Sequence, residues 1–92
     1  MQDKIIDESV AGQIGGLLTE ALSPSFLEVI DESSLHDGHA GARPGGQTHF
    51  RVRISSPLFQ GMGRVARERR VYEPLRKLLA TQIHALAVEV LD

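Results

Sequence analysis

Four histidines and one arginine run hold most of the chemistry open to this chain. His36 and His39 sit in the glycine-rich stretch SLHDGHAGARPGGQ (residues 34–47), His49 lies just past it, and His84 opens IHALAVEV. Imidazole suits iron and zinc and binds them through a deprotonated nitrogen. A closed structural zinc site wants four ligands, and the chain has no cysteine. One loop imidazole plus one strand-end imidazole therefore favours a site shared with another molecule over a private one. His36 and His39 form an HxxH pair on a loop, so they lack the helical geometry of a metalloprotease signature. The plain alternative for the loop histidines is solvent exposure. For His84 it is a partly buried, hydrogen-bonded core residue. His49, on the water face of a strand, reads as structural or surface.

Arg64, Arg67, Arg69 and Arg70 open a helix that follows a glycine-rich turn. Such cations meet phosphates or the carboxylates of a partner. RNA-binding KH domains carry a GxxG loop; Gly61-Met62-Gly63 is only GxG, so RNA binding is not read from it. No P-loop, nucleophile elbow or Ser-His-Asp arrangement stands out, and there is no cysteine nucleophile, so an enzyme is not expected.

The remaining composition bounds the answer. Ninety-two residues make one domain, 1–92, with a modest core. The composition is that of a soluble globular protein, 41% hydrophobic and 24% charged. The charged N-terminus MQDKIIDES has no apolar signal region, and no run approaches a membrane span. A cytoplasmic protein is expected. The net charge of −2 conceals a split: residues 1–42 carry −7, residues 43–77 carry +7 and the last fifteen carry −2. Either the basic half serves an anionic partner, or the halves neutralise each other in the fold.

The elements that must position these residues follow from periodicity. Val10, Ile14, Leu17, Leu18 and Ala21 recur at helical spacing from about Asp7 to Leu22, against the cost of Gly12, Gly15 and Gly16. Ser23-Pro24 ends that helix. Phe26–Glu32 reads as a strand with Leu27 and Val29 on one face. Thr48–Ile54 alternates, with Phe50, Val52 and Ile54 inward beside Leu17, Leu75 and Leu86, and Arg51 and Arg53 in water. The two strands should pair antiparallel. Ser56-Pro57 starts a helical turn, serine as cap and proline at its first position. A helix then runs from about Arg64 to Ala80 on Val65, Val71, Tyr72, Leu75, Leu78 and Leu79, kinked or broken near Glu73 by Pro74. Ile83–Val90 is a third strand. The order α-β-β-α-β predicts an α+β domain, a three-stranded sheet with helices on one face.

LEVIDES, THFRVRI followed by SPLFQG, the spaced set Phe59, Gly61, Val65, Arg67, Arg69, Val71 and Tyr72, and IHALAVEV together resemble the BolA-like family. The resemblance covers nearly the whole chain, and its specificity lies in four weak segments in the right order. The family fold is similar to the type II KH arrangement. The resemblance implies a partner of monothiol glutaredoxins that is monomeric when free and heterodimeric with its partner. The two proteins hold a [2Fe-2S] cluster between them, used in iron–sulfur cluster assembly and trafficking or in iron and redox regulation. Glutaredoxin and glutathione supply thiolates, and the isolated protein carries no cofactor. The implied metal ligands of this chain are His84, from IHAL, and His36, from DESSLH. His39, in a loop longer than in many members, is a second loop candidate. With no cysteine the chain would belong to the branch with a histidine loop. The alternative implied by relatives is a DNA-binding transcription regulator using Arg64, Arg67, Arg69 and Arg70. Two departures, Glu68 between Arg67 and Arg69 and Met62 after Gly61, subtract positive charge from that helix start.

Overall fold

A computed structural model of the chain describes residues 9–32 and 49–91. His36, His39 and the helical turn expected from Asp7 lie outside those residues.

Helix α1 spans Val10–Leu22. Ser9 caps it, its hydroxyl accepting from Gly12 N at 3.0 Å, a contact that stabilises a helix start by about 1 kcal/mol. Ser23 closes it in the left-handed region at φ 45°, its N–H returning to Thr19 O. Val10, Ile14, Leu18 and Leu22 are buried. Steps of four residues keep these positions along one line of the helix. Leu17 and Ala21 fall to its flank and are exposed, which corrects the expectation that Leu17 joins the core.

Strand β1 spans Phe26–Asp31, β2 spans His49–Ser55 and β3 spans Ala85–Val90. β2 is central: it pairs antiparallel with β1, Val29 opposite Val52, and parallel with β3, Val52 opposite Val88. A parallel neighbour needs a crossover, and the helical segment between β2 and β3 provides it. The third strand begins at Ala85 rather than Ile83. Ile83 is buried ahead of it, its N–H bonded to Leu78 O, so His84 sits at the lip of the strand.

The crossover opens on the turn Pro57–Phe59, capped by Ser56 as its sequence suggests. Gly61, at φ 81°, turns the chain through a conformation that favours glycine. Helix α2 spans Arg64–Tyr72 and α3 spans Arg76–Thr81, separated by a 3₁₀ turn at Glu73–Leu75. The break falls where Pro74 removes an N–H from the helical ladder. Val71, Leu75 and Leu78 carry the buried stripe. Val65 and Tyr72, seven residues apart on one side of α2, are exposed instead, Val65 at 68%.

Phe50, Val52 and Ile54 meet α1 and the crossover helices in one core with Leu75, Phe59 and Ile83, and Leu86 packs partly buried against it. The fold is the expected α+β arrangement of a three-stranded sheet with helices on one face.

Candidate functional site

His49 opens β2 and His84 immediately precedes β3. The register that sets His49 opposite Ala85 brings the two imidazoles together, ring centroids 5.0 Å apart and planes tilted by 52°. His84 is exposed and His49 half-buried. Buried Ile83 anchors the backbone beside His84, so an exposed ring stands on a fixed base. His84 is therefore exposed rather than a core histidine, and His49, read as structural or surface, is half-buried with its ring against that of His84. Nothing in the sequence marks that pairing, because it depends on the parallel β2–β3 register.

The same end of the sheet closes the stretch that holds His36 and His39. Glu32 N–H donates to His49 O at 2.8 Å, so the chain leaves at Glu32 and returns at His49 through one mouth beside His84. A ladder of ion pairs across the open face fixes that mouth. Arg51 Nε donates to Glu32 Oε2 at 2.7 Å and its Nη1 to Glu89 Oε2 at 2.9 Å. Arg53 Nε reaches Glu89 Oε1 at 3.1 Å and its Nη1 reaches Glu28 Oε1 at 2.9 Å. The two arginines, expected in water, are half-buried and held across three strands. Their guanidinium pKa values are raised, Arg51 chiefly by hydrogen bonding to Glu32 and Arg53 chiefly by hydrogen bonding to Glu28.

The donor set is small. Among the described residues no group of three or more histidine, aspartate and glutamate side chains is placed to hold a metal ion. A pair of imidazoles at an exposed strand end fits a metal group whose other ligands come from elsewhere, and does not fit a private closed site.

The four arginines of α2 do not form one face. Successive residues turn by about 100° around a helix, so Arg64, Arg67 and Arg70 follow one another around it in steps of about 60°, while Arg69 falls nearly opposite Arg67. Arg64 is exposed and meets Glu68 at 3.4 Å among the described residues. Arg67 Nε donates to Met62 O at 2.8 Å. Both line a cleft of about 570 Å³ against the Val88–Leu91 end of β3. Arg70 lines another cleft with Leu22 and Pro74. At roughly 3.3 Å per strand residue, the first cleft lies about one strand length from His84.

A three-stranded mixed sheet with its helices on one face, and an imidazole pair where β2 begins and β3 is about to begin, defines a small α+β domain. The family model described as BolA-like protein matches residues 18–91, and the chain belongs to that family. It is 44% identical over 80 residues to BolA-like protein 1 of Mus musculus, covering 87% of this chain and 56% of that protein. It is 41% identical over 71 residues to the DNA-binding transcriptional regulator BolA of Vibrio cholerae, covering 77% of this chain and 63% of that one. Against relatives such as these the chain spans little more than half their length. The solved BolA domain of SufE1 from Arabidopsis thaliana superposes with a TM-score of 0.78 at 38% identity, over 91% of this chain and 92% of that one.

Proposed function

We propose that this chain is a BolA-like partner of a monothiol glutaredoxin, and that the two proteins share a [2Fe-2S] cluster for iron–sulfur cluster trafficking or for iron and redox regulation. The observation that carries the reading is the exposed His84 imidazole on a fixed backbone, with the His49 ring 5.0 Å away. His84 is the strand-end ligand, and His36 or His39 is the loop ligand. The cluster, when bound, supplies a transferable, redox-active iron–sulfur unit. This chain's own work is to present neutral imidazole nitrogen at an open edge. His49 limits the orientations open to the His84 ring, and the Arg51–Glu32 pair holds the two chain ends of the loop beside it. No bond is made or broken by the protein itself, so it acts as an adaptor rather than an enzyme. The free protein is a monomer in the cytoplasm and a heterodimer with its partner. No helix among the described residues is long and apolar enough to cross a membrane.

The test is visible circular dichroism of the chain mixed anaerobically with a monothiol glutaredoxin, iron, sulfide and glutathione. His84→Ala abolishes the mixed-cluster spectrum while its far-ultraviolet spectrum stays native. His36→Ala weakens the signal in part, and His36→Ala with His39→Ala weakens it further. An unchanged visible spectrum for His84→Ala removes the ligand assignment.

A second reading, DNA binding through Arg64, Arg67, Arg69 and Arg70, is favoured by the name of the Vibrio cholerae relative. Phosphate contacts give a steep fall of affinity with salt. Titration of a labelled duplex against salt supports this reading if each Arg→Ala change flattens the slope by about one unit.

A further inference from the structure

We propose that His49 and His84 together form an exchangeable site for a borderline divalent cation such as Zn²⁺, open to the free protein without any partner. A zinc–imidazole bond of about 2.0–2.1 Å sets the centre of each ring roughly 3.2 Å from the metal, so two rings on neighbouring positions of one ion stand about 4.5–5.2 Å apart. The His49 and His84 ring centroids are 5.0 Å apart. Their 52° tilt rules out a parallel stack, in which the nitrogens of the two rings would lie in separate layers. A half-turn of either ring about its χ2 bond presents one imidazole nitrogen or the other. Both side chains stand on fixed backbone. His49 opens the central strand β2, and buried Ile83 anchors the chain beside exposed His84. The parallel register, His49 opposite Ala85, holds the two together. Donors placed before the ion arrives leave little ordering cost to binding.

The neighbouring charges suit a cation. His49, Arg51 and Arg53 alternate onto the open face of β2. There the two arginines are bonded to three carboxylates, those of Glu28, Glu32 and Glu89, so the ladder carries one negative charge in excess. With two protein donors, water fills the other positions, and the ion exchanges rather than holding the fold. Neutral imidazole selects Zn²⁺, Cu²⁺ or Ni²⁺ over the hard Mg²⁺ and Ca²⁺, which take oxygen ligands. The competing account is a ring contact and nothing more, since aromatic pairs also stand about 4.5–7 Å apart. A phenyl ring in place of one imidazole separates the two accounts. The site shares His84 with the proposed cluster but needs no glutaredoxin, glutathione or sulfide, so either reading can fail without the other.

The probe is zinc sulfate, titrated into the untagged full chain by isothermal calorimetry and by NMR of the imidazole resonances. One ion per chain is expected, with the His49 and His84 ring signals both shifting. His49→Phe keeps a ring beside His84 and removes the donor. It should weaken zinc binding about tenfold or more, as should His84→Ala, because losing even a residue that only orients a ligand costs that much. His49→Gln repeats the comparison with a smaller side chain, and the far-ultraviolet spectrum of each variant should stay native. His36→Ala with His39→Ala should bind zinc as the parent does, and millimolar magnesium should shift neither ring. Absence of shifts at the two rings up to millimolar zinc overturns the proposal. So does parental affinity in His49→Phe and His49→Gln, which reduces the pair to a ring contact. Loss of binding in the variant lacking His36 and His39 also overturns it, since the ion then belongs to those residues.

Discussion

Ser56→Ala should cost about 2–3 kcal/mol of folding stability, although it removes a single oxygen. Ser56 is 1% exposed. Its hydroxyl donates to Leu22 O at 2.7 Å and accepts from Leu58 N–H at 3.1 Å. Leu22 ends α1, so its carbonyl has no onward helical donor, and Leu58 lies in the first turn of the crossover. Alanine fills nearly the same space, so the cost comes from two orphaned backbone groups rather than from a cavity. Each lost bond is worth about 1–1.5 kcal/mol where water cannot replace it. A domain of this size has roughly 5–14 kcal/mol in total, so the loss is a large share. The melting temperature should fall by roughly 10–20 °C. Urea titration followed by far-ultraviolet circular dichroism measures it, with a lower midpoint and an unchanged slope. Ser25→Ala is the control, because that exposed hydroxyl makes one long contact, 3.3 Å to Ser55 O, and should stay within about 0.5 kcal/mol of the parent. If Ser56→Ala and Ser25→Ala melt alike, the two-way bond does not join α1 to the crossover in solution.

Val52→Asp should unfold much of the protein, since Val52 is fully buried on the central strand and its replacement is an unpaired carboxylate; a parental melting temperature would refute the register. Gly15→Ala and Gly16→Ala should each stabilise α1 by about 0.5–1 kcal/mol, because a Cβ at either position meets nothing within 4 Å; a lower urea midpoint would contradict the open space there. Acidification should bleach the proposed shared cluster, because protons compete with metal for imidazole nitrogen; a visible spectrum unchanged between neutral pH and pH 5 would argue against histidine ligation.

Local patterning carried far into this fold. The i, i+4 line of Val10, Ile14, Leu18 and Leu22, the alternation of Phe50, Val52 and Ile54, the Ser56-Pro57 cap and the break at Pro74 are all legible because each follows from the geometry of one element. The faces of long helices were less legible. Leu17, Val65 and Tyr72 fit a 3.6-residue period yet are exposed, because the width of a buried stripe depends on what packs against it.

The sequence by itself determined which residues were available: imidazoles without cysteine, a basic stretch after an acidic one, and apolar faces enough for three strands and their helices. The tertiary structure alone decided which of them meet. Pairing between β2 and β3 joins residues more than thirty positions apart, and its parallel register is what places the His49 ring against His84. The same register sets Glu89 between Arg51 and Arg53, and the β1–β2 pairing brings Glu28 and Glu32 of the acidic half to the same two arginines. Helical rotation then sets Arg69 apart from Arg64, Arg67 and Arg70. Spacing along a chain fixes neighbours within one element. Neighbours between elements are fixed only when burial of the whole core selects one register.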